Sequence, residues 1–236
     1  MADDIAAAPR LPAGAVSHAD ARSPDAWRRF TPDGVDACVT SPPYLNGVSY
    51  AEAPRLEALF LRRADSWASL NALASNWLVA SSPQQATQGR AAAAKERLAA
   101  LPLTRGVVDL LDRRLAAERA RRPRGKAYDA LLWCYFADMA EVFSNLIRAL
   151  SPGARAAMVI GDSAPYGVRV DTPALLGGLA EELGGRVHSD VYVRARGGKW
   201  PGVGARHNRR LEERLIVVAR PAYEAQTQLP GFDDVR

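Results

Sequence analysis

The run YDALLWCYFADMAEVFSNLIRAL, Tyr128 to Leu150, constrains this chain more than any other feature. It has the spacing of a long amphipathic helix, which must bury one face against something, and it ends at the breaker Ser151-Pro152-Gly153. Two short β-branched, apolar segments can supply the covering layer: VDACVT (35–40) and ARAAMVIGDS (154–163). Both are apolar on both faces, the pattern of a fully buried strand. TPALLGGLAEELGG (172–185) is a further helix, with Thr172 as its cap, Pro173 in its first turn and glycines at its end. RVHSDVYVRAR alternates as a strand, and LEERLIVVAR supplies the last one.

Buried strands alternating with helices predict an α/β fold with a mostly parallel sheet and helices on both faces. The last two strands, within 186–220, follow one another without a helix, so that edge should be an antiparallel hairpin. Upstream, AGAVSHADARS predicts a short strand ending near Asp20, and PDAWRRF a short helix opened by Pro24. EAPRLEALFLRRADSWASLNALASNWL has helical spacing, with Leu56, Leu59, Phe60 and Trp67 on one face. Residues 1–12 read as a disordered lead-in, 13–220 as one domain and 221–236 as a tail.

Residues 81–126 interrupt the rhythm and read as a helical insertion projecting from the sheet. Within them, positions 90–126 carry eleven Lys or Arg against Glu96, Asp109, Asp112 and Glu118. That leaves a local charge of +7 in a chain whose total is +5. Concentrated positive charge attracts polyphosphate. Arg119, Arg121 and Arg122 are therefore candidate DNA contacts, with Lys199, Trp200, Arg209 and Arg210 of a second basic stretch. An arginine-rich solvated helix face, or a surface for an acidic protein, would have the same composition.

Cys38 and Cys134 are the two cysteines, each in an apolar run, and read as free thiols. The start MADDIAAAPR is acidic and lacks the basic region followed by an apolar run of a secretory leader, and no apolar stretch is expected to approach the ~20 residues of a membrane helix. The expectation is a cytoplasmic protein. No His, Cys or Asp cluster has metal-ligand spacing, so no metal is expected. Trp67, Trp77 and Trp133 read as core.

The chemistry-bearing segment is Ser41-Pro42-Pro43-Tyr44, which directly follows VDACVT. Consecutive prolines fix φ near −65° and carry no N–H, so the turn is rigid and presents carbonyls. Ser41 offers a hydroxyl oxygen and Pro42 a carbonyl oxygen, two acceptors for the two protons of a planar amine. Held that way, an exocyclic amine is drawn toward tetrahedral geometry and its lone pair localised, the cationic counterpart of an oxyanion hole. Tyr44 offers a flat surface for a base taken out of a duplex. Asn46, Tyr50, Asp162 and Ser163 would line the same cleft at the carboxyl ends of the strands. A hydrolase reading fails, because Ser41 has no suitable His and Pro42 removes the N–H an oxyanion would need.

VTSPPYLNGVSY followed by RLEALFL resembles the amino-methylating DNA methyltransferases, which act on cytosine N4 or adenine N6. The likeness runs through 16–63 and 127–220, and implies a Rossmann-like methyltransferase sheet with S-adenosylmethionine as cofactor. It implies that Ser41 and Pro42 hold the target amine, that Pro43 belongs to the same turn and that Tyr44 stacks on the base. It also puts Asp20 and Ala21, with Ser41, against the cofactor. Serine before Pro-Pro-Tyr is commoner in the cytosine-N4 enzymes. The family's glycine-rich cofactor loop has no counterpart here: GDSAPYG, GGLAEELGG and RGGKWPGVGARHNRR are the glycine-rich candidates, and none matches it. The resemblance therefore implies the catalytic half of such an enzyme, with DNA as one partner and a second polypeptide carrying the cofactor half. A gene fragment, a noncatalytic DNA-recognition subunit, and an RNA or protein-glutamine methyltransferase are the alternatives.

Overall fold

The computed structural model describes residues 14–31, 33–46, 53–70, 72, 81–83, 86–196 and 210–222. The helices are α1 (Pro24–Phe30), α2 (Arg55–Phe60), α3 (Gln88–Arg97), α4 (Pro102–Ala120), α5 (Tyr128–Ala149) and α6 (Thr172–Glu182). The strands are β1 (Val35–Thr40), β2 (Leu150–Gly161), β3 (Arg186–Arg196) and β4 (Leu211–Ala219). They form one sheet in the order β1-β2-β4-β3. The architecture is a mixed α/β fold. The expectation of a mostly parallel sheet is corrected, since β1 and β2 alone run parallel and the β2–β4 and β3–β4 pairs are antiparallel. After α6 the chain crosses to the far edge as β3, and β4 returns between β2 and β3, forming the expected hairpin.

α5 is the core helix. Trp133, Tyr135, Phe136 and Phe143 are each at most 2% exposed, and nearly all of its apolar side chains are buried with them. Against the sequence expectation, α5 is long and apolar enough to cross a membrane, but 89% of that window is buried inside the protein. Its apolar surface is covered by the protein's own elements.

The apolar core of the sheet lies on one face, while Ala157, Val159, Leu215 and Val217 on the other are half-buried. Ala156, Met158 and Ile160 on β2 pack with Ile216 and Val218 on β4, paired Ala156↔Val218 and Met158↔Ile216. α5 and α6 both lie on this side: Gly185, just past α6, sits against Val218 and against Ile147 of α5, and Gly177 of α6 faces Val187. On the other face Val39 is 86% and Val191 51% exposed. The described residues thus form two layers rather than the expected three.

β1 departs most instructively from its sequence. VDACVT reads as a strand buried on both faces, yet among the described residues β1 is an edge strand with β2 as its one neighbour in the sheet. Val39 projects into solvent and Cys38, facing the core, is only half-buried. The strand expected at 16–20 does not form, and Val16 is fully exposed. Its end is a turn instead, with the Ser23 N–H donating to the Asp20 carbonyl at the entry to α1. The long helix expected after residue 51 is also shorter than its pattern. α2 stops at Phe60, Arg62 takes a φ of 52°, and Leu56, Phe60 and Trp67 are all at least half exposed.

The basic segment is not a projection. Ala91 and Ala94 of α3 and Val108, Leu111 and Leu115 of α4 are buried in the same core cluster as α5. α4 is also capped from a distance. The N–H groups of Leu103 and Thr104, orphaned at its first turn, donate to the two carboxylate oxygens of Glu182 on α6, both at 2.8 Å. α6 itself is capped by Asp171, which accepts from the Ala174 N–H, rather than by Thr172.

If α3 and α4 belong to the core, Leu115→Ala should lower the unfolding free energy by ~2–5 kcal/mol, and Leu110→Ala, at a half-exposed position, by under ~0.5 kcal/mol. Urea denaturation of the two variants measures this. Equal and negligible effects would mean that the segment stands away from the core.

Candidate functional site

The Ser41–Tyr44 turn leaves the carboxyl end of β1 and is held through Pro43 and the buried residues on either side of it. Proline carbonyls cannot be held by neighbouring proline N–H groups, so the donor comes from α5: the Tyr135 hydroxyl donates to the Pro43 carbonyl at 2.9 Å. Pro42 is buried, and Leu45 anchors the far side in the core at 1% exposure. Asn46, at a positive φ of 53°, donates its N–H to the Ser81 carbonyl at 3.0 Å. Ser41 is exposed, and among the described residues neither its hydroxyl nor the Pro42 carbonyl takes a hydrogen bond.

Tyr44 meets the end of β2. A Cβ on Gly161 would lie 2.9 Å from Tyr44 Cδ2, so the ring is in contact with that glycine. The guanidinium of Arg196, at the end of β3, sits 4.9 Å from the ring centroid. Asp162, expected to line the cleft, is instead a bracket across the sheet edge, 1% exposed. Its carboxylate accepts from the Glu212 N–H at 2.7 Å and from Arg169 Nε at 3.2 Å. Burial pushes the Asp162 carboxyl above its usual range, against the pull of those partners. The Ser163 hydroxyl is buried and has no hydrogen-bond partner among the described residues. Tyr166 turns away, its hydroxyl donating to the Lys126 carbonyl and its ring edge-on to Tyr128.

The second expected element, Asp20-Ala21, reaches the same helix by a different route. Asp20 accepts from the backbone N–H and the guanidinium of Arg22, the closest contact being 2.7 Å. Burial pushes the Asp20 carboxyl up, but the Arg22 hydrogen bonds and charge outweigh it and hold it below the ordinary 3.8. Arg22 reaches on to Asp138 of α5, and Asn145, two turns further along α5, donates to the Ala21 and Arg22 carbonyls. Asp138 is 1% exposed and is met by Arg22, Arg90 of α3 and Arg97 of α3 at 3.3, 3.2 and 3.6 Å. α5 thus carries the supports of both expected site segments: Tyr135 under the Pro-Pro turn and Asp138 under Arg22.

The basic candidates are differently placed. Arg119 pairs with buried Asp129 at 2.9 Å, and Arg121 and Arg122 both pair with Glu118 at 2.7 Å. Arg122 also lies 4.4 Å over the Tyr166 ring. Glu118 is already counted in the local balance, but Asp129 and Asp138, outside 90–126, pair with Arg119, Arg90 and Arg97 and neutralise part of the excess. Arg210 is exposed, while Tyr50, Lys199, Trp200 and Arg209 lie outside the described residues. No group of three or more His, Cys, Asp or Glu that could hold a metal occurs among the described residues.

Sequence reasoning missed Tyr135, Asp138, Arg196 and the need for glycine at 161. The first two leave a visible trace, since a tyrosine and an aspartate three residues apart are the polar interruption of the run LLWCYFADMA. Arg196 leaves none, because its partner Tyr44 is distant in the chain.

The described residues do not form a seat for S-adenosylmethionine. Asp20 offers its carboxylate to Arg22, and the space above Gly161 is filled by Arg196 and Tyr44. No family model and no curated protein matches this chain. Among solved structures, a Thermus thermophilus protein provisionally described as a DNA modification methylase is a distant match, with 21% identity and a TM-score of 0.30 over 40% of each chain. A likeness of that extent fixes neither fold nor chemistry.

If Asp138 is the electrostatic support of the site, Asp138→Ala should cost ~1–3 kcal/mol, because three guanidiniums lose a shared buried carboxylate while Arg22 keeps Asp20 and Arg97 keeps Glu141. Chemical unfolding of the variant checks this. A loss below ~1 kcal/mol would show that the arginines find other partners.

Proposed function

We propose that this chain is the base-binding half of an S-adenosylmethionine-dependent DNA methyltransferase with a partial Rossmann-like sheet, acting on an exocyclic base amine, cytosine N4 in preference to adenine N6. The observation that carries the reading is the state of the Pro-Pro turn. Its Pro43 carbonyl, Leu45 side chain and Asn46 N–H are all held from within, while neither the exposed Ser41 hydroxyl nor the carbonyl of buried Pro42 takes a hydrogen bond among the described residues. Two acceptors next to an aromatic ring suit a planar amine with two N–H donors. Ser41 and Pro42 accept the amine protons and hold the lone pair outward, and Tyr44 supports the base. The preference for cytosine rests on Ser41, through the resemblance described above.

The methyl donor belongs to a second polypeptide in this reading. What supports it is β1: a β-branched apolar strand with the composition of a central strand that has one neighbour among the described residues and a bare Val39. The partner adds a strand beside β1 and brings the donor to the carboxyl end where the acceptors sit.

Tritiated-methyl incorporation into duplex DNA tests the proposal, with this chain alone and with a polypeptide that binds S-adenosylmethionine through a glycine-rich turn. The chain alone should give no incorporation, and the pair should. In the pair, Ser41→Ala should lower the rate ~10²-fold, as loss of a preorganised hydrogen-bond partner does. Val39→Asp should leave the isolated chain folded and prevent reconstitution. Turnover by the chain alone would sink the split enzyme, and an unchanged rate in Ser41→Ala would sink the clamp. Binding of DNA by the pair without incorporation would favour a recognition subunit.

A further inference from the structure

We propose that Arg196 is a positioning residue for the Tyr44 ring, an inference that rests on the base-binding reading of the Pro-Pro turn. Three separate parts of the chain converge here: the turn after β1, the end of β2 and the end of β3. The Arg196 guanidinium lies 4.9 Å from the Tyr44 ring centroid and donates through Nη1 to the Asp162 carbonyl at 2.7 Å. Its Nε lies 3.7 Å from the Glu213 carboxylate, which is nearly buried. The seat is made by an absence at Gly161, where a Cβ would come within 2.5 Å of Arg196 Nη1 and 2.9 Å of Tyr44 Cδ2.

Arg196 over the ring and Gly161 at its edge restrict the two torsions of the Tyr44 side chain. A stacking ring helps an amine clamp only if the plane of the base brings the amine to both acceptors at once. Pro42 and Pro43 fix the carbonyl acceptor through the backbone, but the ring is set by side-chain contacts. Arg196 does that from the face it occupies, held in turn by a buried carbonyl and a carboxylate. Lysine at 196 would keep the charge over the ring but could not make the planar set of contacts with Asp162 and Glu213. Methionine would keep bulk and lose all three.

The test uses the full chain and a single-stranded oligonucleotide carrying one fluorescent cytosine analogue, whose emission falls when it stacks on an aromatic ring. Binding is followed over a range of salt concentrations. The wild type should quench the analogue and Tyr44→Ala should not. Arg196→Met should raise Kd roughly tenfold and weaken the quench at saturation without changing the salt slope, and Arg196→Lys should recover part of both. Should the methionine variant fail to fold, Arg196→Gln, which keeps a donor for the Asp162 carbonyl, takes its place with the same expectation. An unchanged Kd and quench in the Arg196 variants overturns the inference. So does a loss of affinity with a salt slope smaller by about one, which would make Arg196 a phosphate contact. If Tyr44→Ala binds and quenches as the wild type does, the base-binding reading fails and this inference falls with it, a result distinct from failure at Arg196 alone.

Discussion

A turn built of two consecutive prolines has no N–H with which to hold itself in place, so its position depends on donors from elsewhere. Here the donor is the Tyr135 hydroxyl, carried on the most deeply buried helix and bonded to the Pro43 carbonyl. The turn is thereby tied to the core through Pro43, next to the exposed Ser41 hydroxyl and the carbonyl of buried Pro42. The same helix supports the Asp20–Arg22 segment through Asp138. One element thus sets the relative position of two segments well separated in the chain, without direct contact between them.

Much of this frame was legible in the sequence because it depends on local periodicity. α5, α6, β2 and the terminal hairpin follow from spacing and breakers, although α6 is capped by Asp171 and not Thr172, and the Pro-Pro turn falls where the pattern of VDACVT places it. The failures share a physical origin. β-branched, apolar composition reports what a strand is suited to, not how many neighbours it has, so β1 reads as central and stands at an edge. Helical spacing at Leu56, Phe60 and Trp67 defines a face without saying what covers it, and those side chains are exposed. A count of arginines in 90–126 does not register that Glu118 and Asp129 already pair with three of them.

The site is complete in one respect and open in another. Acceptors and ring are held, and the ring is backed by Arg196. A cofactor seat is not formed by the described residues, and among them the strand leading into the turn has an unpaired edge. In the proposed reading, a single partner at the β1 edge supplies both.

The most direct test of the clamp observes the amine itself. A duplex bearing cytosine labelled with 15N at the exocyclic position can be titrated with the assembled protein pair and its amine protons followed by NMR. If Ser41 and Pro42 accept one proton each, both resonances should move downfield and exchange more slowly with water, and Ser41→Ala should abolish the effect at one proton only. Amine resonances that are the same with and without protein, or a shift that Ser41→Ala leaves intact, would contradict the account.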